Sequence, residues 1–185
     1  MRIDLENGAR FMVYEYDMFI ASCYLLANYP GPSQIFRNLA LEAALLHARN
    51  LADFLHNGGG HPDDIKAARY FDRGDGSSTD ALAEHRIRLN KRLTHASYKR
   101  ASTAQQWNVK AIHAAIVEAW SEFVRRLATA HPERAFWFET AERPTMLTLP
   151  EEWDPQWVEA ESALEWWEPE DLVSELDQLL QWSTK

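Results

Sequence analysis

Cysteine is almost missing from this chain: Cys23 stands alone. A single cysteine cannot close an intrachain disulfide, and its place in an apolar run marks it as a buried, inert thiol. Glycine is scarce too, seven among 185 residues, with three of them consecutive at positions 58–60. So few chain breakers leave room for long helices. No apolar run is long and uncharged enough for a bilayer; the most apolar stretch, residues 11–27, carries Glu15 and Asp17. The first residues lack the basic-then-apolar pattern of a secretory leader, so a cytoplasmic location is the expectation. No Walker loop, G-x-G-x-x-G or G-x-S-x-G occurs, which argues against the common nucleotide and hydrolase chemistries. His56, His61, Asp63 and Asp64 gather around the glycine loop but lack a paired His-x-x-x-His or Glu-x-x-His spacing. No metal or other cofactor is expected.

What is present is ordinary globular material, 46% hydrophobic and 25% charged, enough for one domain with a sizeable core. The net charge of −9 is unevenly placed. Residues 1–149 hold 18 Lys+Arg against 17 Asp+Glu, whereas residues 150–185 hold 11 acids and only Lys185. The acidity is that of the tail, and an anionic partner for the body remains open because binding follows local charge. The tail also holds five of the eight tryptophans. These rings either dock it on the body or offer a protein-docking strip, and its acids are placed to compete with nucleic acid.

The periodicity predicts an all-α bundle of four to five helices over residues 1–149, with the acidic segment 150–185 packed on it. Helices are expected over 9–28, over 33 to about 57 with Ser33 as N-cap, and over 62–70. A fourth should run from 78 or 79 to about 99, with Leu82, Leu89, Leu93 and Ala96 as its stripe. The fifth should open with a capping box at Thr103-Ala104-Gln105-Gln106 and end near His131-Pro132. A short extended piece is expected at 145–149 and a last helix over 168–182.

Two polar faces stand out. On the second helix Glu42, Arg49, Asp53 and His56 lie 7, 4 and 3 apart. They are either a solvated face with an Arg49–Asp53 pair or a polar cleft inside the bundle. On the fourth helix Arg88, Arg92, His95 and Lys99 share a face, and six Lys or Arg but no acid lie between Arg86 and Arg100. That density attracts phosphates, unless the helix is merely solvated or masked by the acidic tail. Histidine can take a proton from a ribose hydroxyl near neutral pH, and arginine can stabilise charge on the attacked phosphate.

Arg followed by His after four to six residues delivers both groups from one helical segment. Arg49-Asn50…His56 has this pattern with a polar second residue; Arg88…His95 has the spacing with Leu89 second; Arg125 and Arg126 precede His131. With the helical layout over about 9–131, these residues make the chain resemble the HEPN superfamily. The resemblance implies an RNA-binding protein or metal-independent endoribonuclease, a toxin or defence component, with a homodimer as a possible assembly. The expected base is His95, with Arg88 and Arg49 as phosphate stabilisers. Arg92, Lys99, Arg100, Asn50 and Asp53 would bind, and His56 is the alternative base. The other reading is a non-catalytic helical interaction module whose working surface is the Trp-rich tail.

Overall fold

The computed structural model describes residues 4–28, 34–56, 61, 63–72, 82–93, 105–138 and 158–160. Helix α1 spans Leu5–Asn28 and α2 spans Gln34–Leu55. A 3-10 turn follows at Ala67–Tyr70, then α3 at Ala83–Leu93. Strand β1, Gln105–Trp107, precedes α4 at Val109–Ala130. A short helical turn, α5, covers Pro132–Ala135 and runs into a 3-10 turn at Phe136–Phe138. Strand β2, Val158–Ala160, pairs antiparallel with β1. The fold is helical as the periodicity predicts, with this one small ladder added.

Helix α1 starts a turn earlier than its apolar pattern suggests. The Asp4 carboxylate accepts from the Asn7 backbone N–H at 3.1 Å and from the Asn7 side chain at 2.6 Å, so an acidic cap extends the helix. Gly8 is thereby carried inside the helix, where a Cβ would stand 2.8 Å from the Tyr70 hydroxyl. The hydroxyl donates to the Leu5 carbonyl at 2.9 Å; glycine here permits a close approach.

Two expectations need correction. The helix expected over 62–70 is not formed over 63–66. The Asp64 side chain accepts from His61 N at 2.8 Å, closing a turn, and Lys66 is extended, so only Ala67–Tyr70 winds, as a 3-10 turn. The capping box at 103–106 is not a helix start, because Gln105 and Gln106 are strand residues held by β2. Asn108 caps α4 instead, its side chain accepting from Ala111 N at 2.9 Å. The fourth helix is described only over Ala83–Leu93; the rest of its expected span lies outside the described residues. So do the Ser33 cap, the piece at 145–149 and the helix at 168–182.

Helices α1 and α2 make the most extensive contact, with α3 and α4 packed on α2. One core cluster runs through all of them. It takes Met12, Phe19 and Cys23 from α1, Leu41, Leu51 and Phe54 from α2, Leu82 and Leu89 around α3, and Ile112, Ile116 and Leu127 from α4. Its aromatic centre is Phe54, Tyr70, Trp120, Phe123 and Phe138, in mostly edge-on pairs with centroids 5.0 to 6.3 Å apart, the geometry that ring quadrupoles favour. No helix among the described residues is long and apolar enough to cross a membrane.

Candidate functional site

The apolar stripe of α3 fixes what its polar residues face. Leu82 and Leu89 are buried, so Arg86 and Asn90, one turn apart, fall on one flank of that stripe, and Arg88 falls on the other. The first flank meets α2. There the Arg49 Nε donates to Asn90 Oδ1 at 2.7 Å. The Arg86 Nε donates to Asp53 Oδ1 at 2.7 Å, and the same oxygen accepts from Asn90 Nδ2 at 3.3 Å. Lys66 Nζ donates to the Asp53 carbonyl at 2.9 Å. Four side chains, Arg86, Asp53, Asn90 and Arg49, therefore form one connected row along the α2–α3 seam. The row is half-open to solvent: the side chains of Arg86 and Asp53 retain 27% and 32% exposure.

At Arg49 and Asp53 the polar face of α2 is thus partly covered by α3. Arg49 and Asp53 each bond across to α3 rather than to each other, because α3 lies against that face. Glu42, on the same stripe, is exposed. His56 directly follows α2, half-buried, on the same face as Arg49 two turns earlier. Asn50 turns the other way, its Nδ2 donating to Glu15 Oε2 at 2.9 Å.

The other expected residues are placed elsewhere. The Arg88 guanidinium lies 4.9 Å from the Trp107 ring centroid, a cation–π contact that links α3 to β1. Arg92 belongs to the backbone of α3, and His95, Lys99 and Arg100 lie outside the described residues. Near the end of α4, Arg125 is bound to Glu122 at 2.7 Å, Arg126 lies over the Phe71 ring, and His131 sits 3.7 Å from Asp72.

A second polar cluster, absent from the expected site, lies between α1 and α2. Glu15 is buried, and its Oε2 meets His47 Nδ1 at 2.8 Å as well as Asn50. A carboxylate this deep needs such partners. The cluster ties the two helices together, with His47 as a buried structural partner of Glu15. Around the glycine loop, His61 contacts Asp63. Among the described residues no three His, Cys, Asp or Glu side chains converge as a metal site requires.

Arg86 and Asn90 are the residues that sequence reasoning missed. Their signal was the Leu82–Leu89 stripe, which places them beside the buried arc; the density of charge at 88–100 drew attention to the opposite flank. No family model, curated protein or solved structure matches this chain, so the chemistry of the seam is argued from its own residues.

Proposed function

We propose that the chain is a HEPN-like RNA-binding protein acting as a metal-independent endoribonuclease, a toxin or defence component, with its site at the α2–α3 seam. The observation that carries this reading is the convergence of Arg49 and Asp53 of α2 with Arg86 and Asn90 of the basic helix α3. Arg49 would stabilise charge on the phosphate, and a histidine would take the proton of the 2′-hydroxyl. Two histidines can serve. His56 shares the α2 face with Arg49. His95 follows two residues beyond the described end of α3, within the run of six cations.

Cleavage of single-stranded RNA in EDTA tests this reading. Wild type should cleave, and Arg49→Ala together with one of His56→Ala or His95→Ala should lose on the order of a hundredfold or more in rate, the usual effect of removing a general base. Cleavage that persists in all three folded variants rejects the site. No cleavage and no RNA binding by wild type rejects the function.

One observation favours a second reading, that of a protein-interaction module. Helices α1 and α2 expose Phe11, Tyr14 and Leu25, and Leu39 and Leu46. Apolar side chains gathered on one helix pair are the usual material of protein contacts. In that case pull-down of a partner should fail when Tyr14 and Leu46 are replaced by Ser, with RNA binding absent throughout.

A further inference from the structure

We propose that Arg49 and Arg86 form a two-guanidinium clamp for one phosphate group, held in position by Asn90 and Asp53. This rests on the RNA reading above and names the part of the ligand that the seam grips. A guanidinium offers five donors in a planar fork, and its two terminal amino groups match two phosphate oxygens. In both arginines of the seam the Nε–H is engaged, to Asn90 Oδ1 and to Asp53 Oδ1 respectively, each at 2.7 Å. Their terminal amino groups have no partner among the described residues.

Arginines elsewhere in the fold are used differently. Arg10 donates to Glu6 through Nη2, Arg125 grips Glu122 through Nε and Nη2, and Arg134 donates to the Tyr70 carbonyl through Nη1. Each of those three donates through a terminal amino group to a protein oxygen, whereas the seam pair is held at Nε. Anchoring at Nε removes side-chain freedom before a ligand arrives, which lowers the entropy lost on binding.

The charge balance points the same way. Two arginines against Asp53 leave one net positive charge, and Lys66, from the segment before the 3-10 turn, brings its ammonium to 2.9 Å from the Asp53 carbonyl and 3.8 Å from the Asp64 carboxylate. Asp53 Oδ1 accepts from Arg86 and Asn90, so the carboxylate orients the clamp while it offsets one of the two positive charges. A half-buried setting also strengthens charge-assisted bonds relative to open water. Such a clamp reads the backbone and not the bases.

The test is fluorescence anisotropy with labelled single-stranded U12 and A12 RNA, 2′-O-methylated so that it cannot be cleaved, over a range of salt. It uses the full chain and the variants Arg49→Ala, Arg86→Ala, Arg86→Lys and Asn90→Ala, with Arg125→Ala as a control. Arg86→Ala and Arg49→Ala should each weaken binding by about tenfold, equally on both RNAs, as removal of a charge-assisted pair does. The slope of log affinity against log salt should fall by about 0.7 for each phosphate that is no longer gripped. Arg86→Lys keeps the charge but not the fork and should recover the slope without the affinity. Asn90→Ala removes no charge, so it should weaken binding several-fold with the slope unchanged, a pattern that simple loss of stability does not produce in a folded variant. RNA binding retained at wild-type strength in Arg86→Ala and Asn90→Ala overturns the clamp and leaves the RNA reading standing. Calorimetry with inorganic pyrophosphate separates the remaining cases. Binding of pyrophosphate but not RNA, abolished in Arg86→Ala, keeps the clamp while the RNA reading fails. Silence towards both ligands overturns the two together.

Discussion

His113 shows how one side chain's surroundings set a property of the whole chain. It stacks on Phe19 with ring centroids 5.8 Å apart, and burial holds its imidazole below the ordinary value of about 6.5. The unfolded chain therefore binds this proton first. Stability is complete above pH 6.5 and is lost as the pH falls through and below that value. Thermal unfolding of wild type and His113→Phe between about pH 7.5 and about pH 5.5 should show a smaller loss of Tm in the variant, since phenylalanine keeps the ring contact without the proton. Parallel pH profiles would refute this. Cys23 illustrates the same physics in a thiol: it is fully buried, and burial pushes its ionisation far up. The inert character expected from its apolar neighbours follows.

At the scale of elements, the start of α4 is where local pattern and tertiary structure part. Thr103-Ala104-Gln105-Gln106 has the form of a capping box, yet Gln105–Trp107 is a strand and the helix begins at Val109. Strand pairing with β2 takes the backbone groups that a helix would need, and Asn108 supplies the cap. Asn108→Ala should lower stability by about 1 kcal/mol, the usual effect of losing a side-chain N-cap, measurable by urea unfolding. An equal loss of stability in Thr103→Ala, with none in Asn108→Ala, would instead place the cap at Thr103. Helix α3 carries the complementary lesson. The hydrophobic spacing identified it, but its two flanks are chemically alike in the sequence, and only the approach of α2 selects Arg86 and Asn90 for the seam and leaves Arg88 to Trp107.

Over the whole molecule, the acidic segment 150–185 meets the body at the β1–β2 ladder, where Gln106 faces Glu159 and Trp107 faces Val158. Residues facing each other across an antiparallel pair have Cα atoms about 4.5–5.5 Å apart, within the range a disulfide spans. Gln106→Cys with Glu159→Cys should therefore cross-link under mild oxidation, read as faster migration on a non-reducing gel, while Cys23 stays silent. Efficient cross-linking of Gln106→Cys with a cysteine in place of Trp153 instead would show a different register.

The sequence by itself determined the helical class, the periodic helices α1, α2 and α4, the buried thiol and the concentration of acid in the last 36 residues. Each follows from spacing or composition, which act within one segment. Tertiary structure alone decided that the α2 polar face closes against α3, that Glu15 and His47 meet across 32 residues, and that Arg49 and Arg86 come to share a seam. Those are contacts between segments, and a helix face that is polar in sequence carries no mark of whether water or another helix will cover it.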